Sequence, residues 1–190
     1  MYKTVEMAKL FVKNHISPGD ICIDATCGNG ADTLFLSQSV GSCGKVLSFE
    51  IQGDILSKTS EYLANETDCS NIRFINMSHV HMDEFAEAES ISCIMFNLGW
   101  LPGGNHSIRT KAQTTLSALE KSLDLIKPGG IINICLYCGK EMGYDEKNAV
   151  LDFAENLGKA YDVIYIDYLN KLDPPTNLFI VKKAQAATLY

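Results

Sequence analysis

The chain has 190 residues, 46% of them hydrophobic and 21% charged, with a formal net charge of −7. This is the length of one domain with a substantial core, without low-complexity tracts or a solenoid repeat, and its acidity argues against broad electrostatic capture of nucleic acid. No apolar run approaches the roughly 20 residues of a bilayer-spanning helix, and seven cysteines, an odd number lying mostly in apolar runs, read as free thiols in a reducing cytoplasm.

The first residues, MYKTVEMAKLFVKNH, lack the apolar centre of a signal peptide. They read as an amphipathic helix with Val5, Ala8, Leu10, Phe11 and Val12 on or near one face. After the turn SPGD, ICIDA is a short buried strand, TCGNGADT a glycine loop, and TLFLSQSV a helix packing Leu34, Phe35 and Leu36 inward. GKVLSFEI is the second strand and ILSKTSEYLANET the helix after it. IRFINMSH and ISCIMFNLG are the third and fourth strands. AQTTLSALEKSLDLI is a helix, KPGG a turn, IINICLYC the fifth strand and EKNAVLDFAENL the last helix. The final strands, DVIYIDYL and NLFIVKKA, are separated only by NKLDPPT, too short for a parallel crossover, so they form an antiparallel hairpin. The pattern predicts an α/β fold: a doubly wound, mostly parallel seven-stranded sheet ending in an antiparallel hairpin. With no internal linker, residues 1–190 read as a single domain.

The glycine loop follows a strand and opens a helix, the context of nucleotide-binding loops. In Gly28-Asn29-Gly30-Ala31-Asp32-Thr33, however, Thr replaces the last glycine of the dinucleotide fingerprint and an acid stands beside it. An acid at a helix start stabilises the dipole but repels phosphate, so the loop suits a positively charged ligand without one. Asp24, ending the first strand, fits the same ligand. Glu50 ends the second strand twenty residues after Gly30, where a carboxylate accepts from two ribose hydroxyls.

DATCGNG, FEIQ, the KPGG turn and the terminal hairpin resemble class I S-adenosylmethionine-dependent methyltransferases. More narrowly, FNLGWLPGGNHSIRT and YCGKEMGYDEKNAVLDF resemble the rRNA methylase family across nearly the whole chain. Some bacterial members of that family methylate the aminomethyl group of 5-aminomethyl-2-thiouridine at the tRNA wobble position. The resemblance implies a Rossmann-like fold, S-adenosylmethionine as cofactor, and RNA, at the tRNA anticodon region, as partner. It implies no metal and no membrane, and leaves a homodimer open. The family pattern carries a His after the glycine of the tyrosine-glycine segment, where this chain has Lys140.

The same resemblance implies the site. Cofactor contacts fall on Asp24, Thr26, Gly28, Asn29, Gly30, Asp32, Thr33, Glu50, Gln52, Ser78, His79 and Asn97, with Ser78 and His79 ending strand three beside the adenine. NLGW resembles the strand-four end that holds the nucleophilic nitrogen in amino methyltransferases. An amine attacking a sulfonium methyl presents its lone pair in line, so its protons need acceptors on the other side. The Asn97 side-chain oxygen and the Leu98 carbonyl could supply them, while Trp100 could stack on a base. Pro102, Gly103 and Gly104 let the loop bend over the substrate, with Gly99, His106, Arg109, Lys111, Tyr137 and Lys140 as further substrate contacts. No acid occurs from Ile91 to Leu119, while His106, Arg109 and Lys111 fall within that span; a local basic face and chance spacing both remain open.

Other chemistries lack their residues. Pyrimidine carbon methylation uses a cysteine nucleophile at the end of strand four, whereas Cys93 lies four residues earlier. HVHMD and CLYC each lack a second ligand cluster, so they read as non-metal segments. The expectation is therefore an N-methyltransferase acting on the wobble aminomethyl group of tRNA. The alternatives are an rRNA or small-amine methyltransferase, or a non-catalytic cofactor-binding partner of an RNA-modifying complex.

Overall fold

Runs of aliphatic residues without polar alternation are what strands covered on both faces require, and they assemble into one seven-stranded sheet ordered β3-β2-β1-β4-β5-β7-β6. The computed structural model describes residues 3–101, 107–137, 143–172 and 174–184. In chain order the elements are α1 (Thr4–Lys13), β1 (Ile21–Asp24), α2 (Ala31–Val40), β2 (Lys45–Phe49), α3 (Gly53–Glu66) and β3 (Ile72–Ile75). A 3-10 helix (His79–Glu84) leads to β4 (Ile91–Asn97), α4 (Ala112–Leu125), β5 (Ile126–Leu136), α5 (Tyr144–Glu155), β6 (Tyr161–Ile166) and β7 (Thr176–Lys182). Strands β1 to β5 pair in parallel, and β7 runs antiparallel to both β5 and β6. The doubly wound architecture and the terminal hairpin are as the sequence predicts. None of the helices formed by the described residues is long and apolar enough to cross a membrane.

The period of two along each strand sorts side chains between two cores. On one face Ile23, Leu47, Phe49, Ile94, Phe96 and Leu98 pack beneath Ala118, Leu119 and Val150 of α4 and α5. On the other, Cys22, Val46, Cys93, Met95 and Cys135 meet Ala8 and Val12 of α1 and Leu36 and Val40 of α2. Continuing the alternation, Asp24 and Asn97 point to the α1–α2 face. The sheet order reverses between β1 and β4, so the crevice at their carboxyl ends is the switch point where open α/β sheets bind ligands.

Three local readings are corrected. The inward residues of α1 are Thr4, Ala8 and Val12, whereas Leu10 is about half exposed at 52% and Phe11 stacks on Phe179 with centroids 4.6 Å apart. β3 stops at Ile75; Ser78 instead caps the 3-10 helix, accepting from the Val80 amide at 3.4 Å, so Ser78 and His79 belong to the connection and not the strand. The KPGG segment lies within β5, because Ile126 already pairs with Ile91 before a register shift.

Gly30 is a packing glycine. Its φ of +80° is left-handed, and a Cβ there would lie 2.7 Å from Thr59 Cγ2 and 2.9 Å from Leu63 Cδ1 of α3. Gly30→Ala is expected to destabilise the fold by about 2 kcal/mol or more, since backbone strain and overpacking add. A denaturant midpoint equal to wild type would disprove the assignment.

Candidate active site at the carboxyl ends of β1, β2 and β4

The glycine loop is braced from beneath by carboxylates. Asp24 is wholly buried; its Oδ2 accepts from the Thr33 hydroxyl at 2.6 Å and its Oδ1 from the Thr26 amide at 3.1 Å. Thr33, also buried, lies 2.7 Å from Ser48 Oγ on β2. Burial pushes the Asp24 carboxyl up and the neighbouring Asp32 adds to the shift, while the bonds from Thr33 and Thr26 act against it. Asp32 is 4% exposed: its Oδ1 lies 3.1 Å from the Lys9 ammonium of α1, an ion pair without hydrogen-bond geometry, and its Oδ2 accepts from the Asn97 amide group. The expected cofactor contacts Asp24, Asp32, Thr33 and Gly30 therefore form the layer under the loop. The Asp24 carboxylate serves Thr33 and Thr26, and the Asp32 carboxylate faces Lys9 and the Asn97 amide group.

Glu50 differs. Half-buried at the end of β2, its Oε2 accepts from the Gly28 amide and its Oε1 from the Gln52 amide, each at 3.0 Å. Two backbone donors fix the carboxylate at the rim, and each oxygen retains a lone pair for a ligand hydroxyl. Gly28 has φ +50°, and a Cβ on it would touch Leu101 Cδ1 at 3.0 Å, so the segment after β4 leans over the glycine loop. Thr26, Gln52 and Ser78 are half-buried around this rim and Asn29 is exposed.

At the end of β4 the Asn97 amide N–H donates to Thr26 Oγ1 at 2.7 Å and its side-chain Nδ2 donates to Asp32. Its Oδ1 is buried and has no hydrogen-bond partner among the described residues. A buried acceptor left bare costs about 1–3 kcal/mol, which a ligand donor would recover. His79 presents a comparable atom. Its Nδ1 must donate to the Ala25 carbonyl at 3.0 Å, because a carbonyl only accepts, and its Nε2 is buried and unpartnered. Desolvation lowers the His79 pKa, against the bond to Ala25.

Two residues that sequence reasoning missed hold the next turn of chain. Thr110 binds both backbone groups of Gly99: its Oγ1 accepts from the Gly99 amide at 2.7 Å and its own amide donates to the Gly99 carbonyl at 3.0 Å. The buried Glu146 of α5 accepts from Thr110 at 2.9 Å and from Thr115 at 2.7 Å. The backbone of Gly99, an expected substrate contact, is thus already paired. Gly99 also has φ +120° and lies against Tyr137, whose hydroxyl burial pushes up to about 12. Trp100 is half-buried, Arg109 and Lys111 are exposed, and Leu98 is buried. Pro102, Gly103, Gly104, His106 and Lys140 lie outside the described residues.

The segments set aside as metal motifs are internally paired: His81 meets Glu84 and Asp83 meets Lys121, both at 2.7 Å. Cys135 is a buried thiol 3.1 Å from Asn177 Oδ1.

An acceptor-lined rim fits a nucleoside cofactor. The preset Glu50 oxygens suit vicinal hydroxyls, and among the described residues His79 Nε2 is a buried acceptor without a donor. Comparison with known proteins agrees. The family described as "Putative rRNA methylase" matches residues 46–182. The chloroplastic tRNA (mnm(5)s(2)U34)-methyltransferase of Arabidopsis thaliana is 36% identical over 193 residues, covering 95% of this chain and 70% of that protein. A "putative rRNA-methylase" structure from Clostridium thermocellum superposes with a TM-score of 0.92 at 35% identity, covering 96% of this chain and 98% of that one. A "putative methyltransferase" from Streptococcus mutans, in complex with S-adenosylhomocysteine, gives 0.86 at 34% identity, covering 96% and 99%. With an acceptor-lined rim at the carboxyl ends of the strands and matches spanning most of its length, this chain belongs to that rRNA methylase family and is an S-adenosylmethionine-dependent methyltransferase.

Proposed function

We propose that the protein methylates an amine on RNA, and that the amine is the aminomethyl group of 5-aminomethyl-2-thiouridine at the tRNA wobble position. The observation that carries this reading is the Asn97 side chain: Nδ2 is engaged by Asp32 while Oδ1 is buried and bare at the mouth of β4. A neutral amine has protons to offer such an oxygen, whereas a pyrimidine ring carbon has none to spare. The likeness to the Arabidopsis enzyme, whose name specifies the modified wobble uridine, supports the choice of amine.

S-adenosylmethionine supplies the electrophilic methyl group when bound. In our reading Glu50 holds its ribose hydroxyls, and Thr26, Gly28, Asn29, Gln52, Ser78 and His79 line the rest of the rim. Asn97 Oδ1 and the Leu98 carbonyl accept hydrogen bonds from the two amine N–H groups, which turns the nitrogen lone pair toward the methyl group, and the methylated ammonium then releases one proton to solvent. Positioning of this kind supplies several kcal/mol, about 7 or more at high effective molarity. Desolvation in the crevice favours the neutral amine over the ammonium. Trp100 stacks on the base, and exposed Arg109 and Lys111, in a stretch free of acids, lie along the RNA. The chain acts as one unit on the anticodon region of tRNA. The buried, unpaired thiols Cys22, Cys27, Cys93 and Cys135 suit a reducing cytoplasm.

The test uses the purified chain, S-adenosylmethionine and tRNA carrying the unmethylated aminomethyl nucleoside, with mass spectrometry of digested nucleosides. Conversion of aminomethyl to methylaminomethyl thiouridine is expected. Unchanged tRNA alongside methylated rRNA would overturn the substrate assignment in favour of a ribosomal target.

A further inference from the structure

The Asn97 amide has two ends, and only one of them is useful to an amine donor. A side-chain amide can turn by half a rotation at little cost, exchanging oxygen for nitrogen, unless a neighbour distinguishes the two. Here the neighbour is Asp32. A carboxylate accepts and cannot donate, so it engages Nδ2 and rejects Oδ1. The other carboxylate oxygen lies 3.1 Å from Lys9 Nζ, and the same ammonium donates to the Ala31 carbonyl at 2.9 Å and sits 5.3 Å from the centre of the Phe35 ring. Lys9 is thereby pinned to the first turns of α2 while its backbone belongs to α1. Asp32 needs this cation, because it is nearly fully buried beside the buried Asp24, and an isolated charge in that setting is costly.

We propose that Lys9 and Asp32 are positioning residues for methyl transfer: Lys9 holds Asp32, and Asp32 fixes the Asn97 amide with Oδ1 toward the acceptor amine. This rests on Asn97 contacting that amine. Lys9 acts from α1, an element that otherwise only covers the sheet. Its loss misdirects the amide without removing any group that touches cofactor or substrate. The signature is a fall in kcat with the KM for S-adenosylmethionine preserved, which separates it from loss of the cofactor site.

A double-mutant cycle tests the relay, using wild type, Lys9→Met, Asn97→Ala and the double variant, with Lys9→Arg and Asp32→Asn alongside. Lys9→Met is expected to lower kcat by about tenfold, as misplacement of an aligned group does, with the S-adenosylhomocysteine thermal shift retained. Lys9→Arg should recover most of the rate and Asp32→Asn should not. In the Asn97→Ala background Lys9→Met should cost nothing further, because the group it orients is gone. Equal rate losses from Lys9→Met with and without Asn97 would overturn the relay while leaving Asn97 in its role. Full turnover in Asn97→Ala itself would overturn the reading beneath it. Should Lys9→Met not fold, Asp32→Asn combined with Asn97→Ala is read in the same way.

Discussion

Asn97→Ala is expected to lower turnover on the aminomethyl-bearing tRNA by about a hundredfold while the cofactor still binds. The size follows from what the side chain does: it aligns one reactant, and misalignment near the reacting atoms costs about that much. Cofactor binding survives because the Glu50 carboxylate, set by the Gly28 and Gln52 amides, is independent of β4. Single-turnover rates beside the thermal shift with S-adenosylhomocysteine check both halves, and undiminished turnover would reduce Asn97 to a strand terminator. Asn97→Asp is the harsher change. Its carboxylate would stand directly against Asp32, where the wild-type amide donates, and it would also stabilise the ammonium form of the substrate, which cannot attack. Low activity at neutral pH is expected, with partial recovery as pH rises and the amine is neutralised.

Glu50→Ala is expected to weaken S-adenosylhomocysteine binding by a hundredfold or more. Hydrogen bonds to a charged group contribute about 1.5–3 kcal/mol each, so losing two costs about 3 kcal/mol or more. Ligand at a hundred times the wild-type Kd stabilises the fold by about 2.7 kcal/mol, and after a hundredfold loss the same concentration gives about 0.4 kcal/mol. The thermal shift should therefore nearly vanish, while Glu50→Gln, keeping one acceptor oxygen, should fall between. Calorimetry finding an affinity within threefold of wild type would remove Glu50 from the ribose.

The parts of this site that the sequence announced are those governed by local pattern. Strand ends follow from where apolar runs stop, and a carboxylate or amide placed there, as Asp24, Glu50 and Asn97 are, marks the ligand edge of a parallel sheet. The seven-residue gap NKLDPPT fixes the hairpin by length alone. What stayed hidden depends on partners far apart in the chain. Lys9 meets Asp32 across 23 residues and Glu146 meets Thr110 across 36, and neither pairing leaves a periodic trace. Distance also hid the role of Gly30: its position in a loop suggests ligand approach, yet the atoms that demand a glycine are Thr59 and Leu63 on the next helix. Burial decided the roles of the acids, since composition counts Asp24, Asp32 and Glu50 alike and only the fold leaves Glu50 at the rim.

The seat of α1 ties the proposed Lys9 relay to the distant β7. The Thr4 carbonyl accepts from Asn177 Nδ2 at 2.9 Å, Thr4 Oγ1 donates to the Pro175 carbonyl at 3.0 Å, and Phe11 stacks on Phe179. The first helix in chain order among the described residues therefore rests on β7, far along the sequence. β7 lies between β5 and β6, so the anchors of α1, the helix that carries Lys9 to Asp32, belong to the antiparallel part of the sheet. The Glu50 pairings beside β1 and β2 involve none of these contacts. On the proposed relay, the alignment of Asn97 at the end of β4 therefore leans on contacts made by β7, whereas the hydrogen bonds that set Glu50 do not.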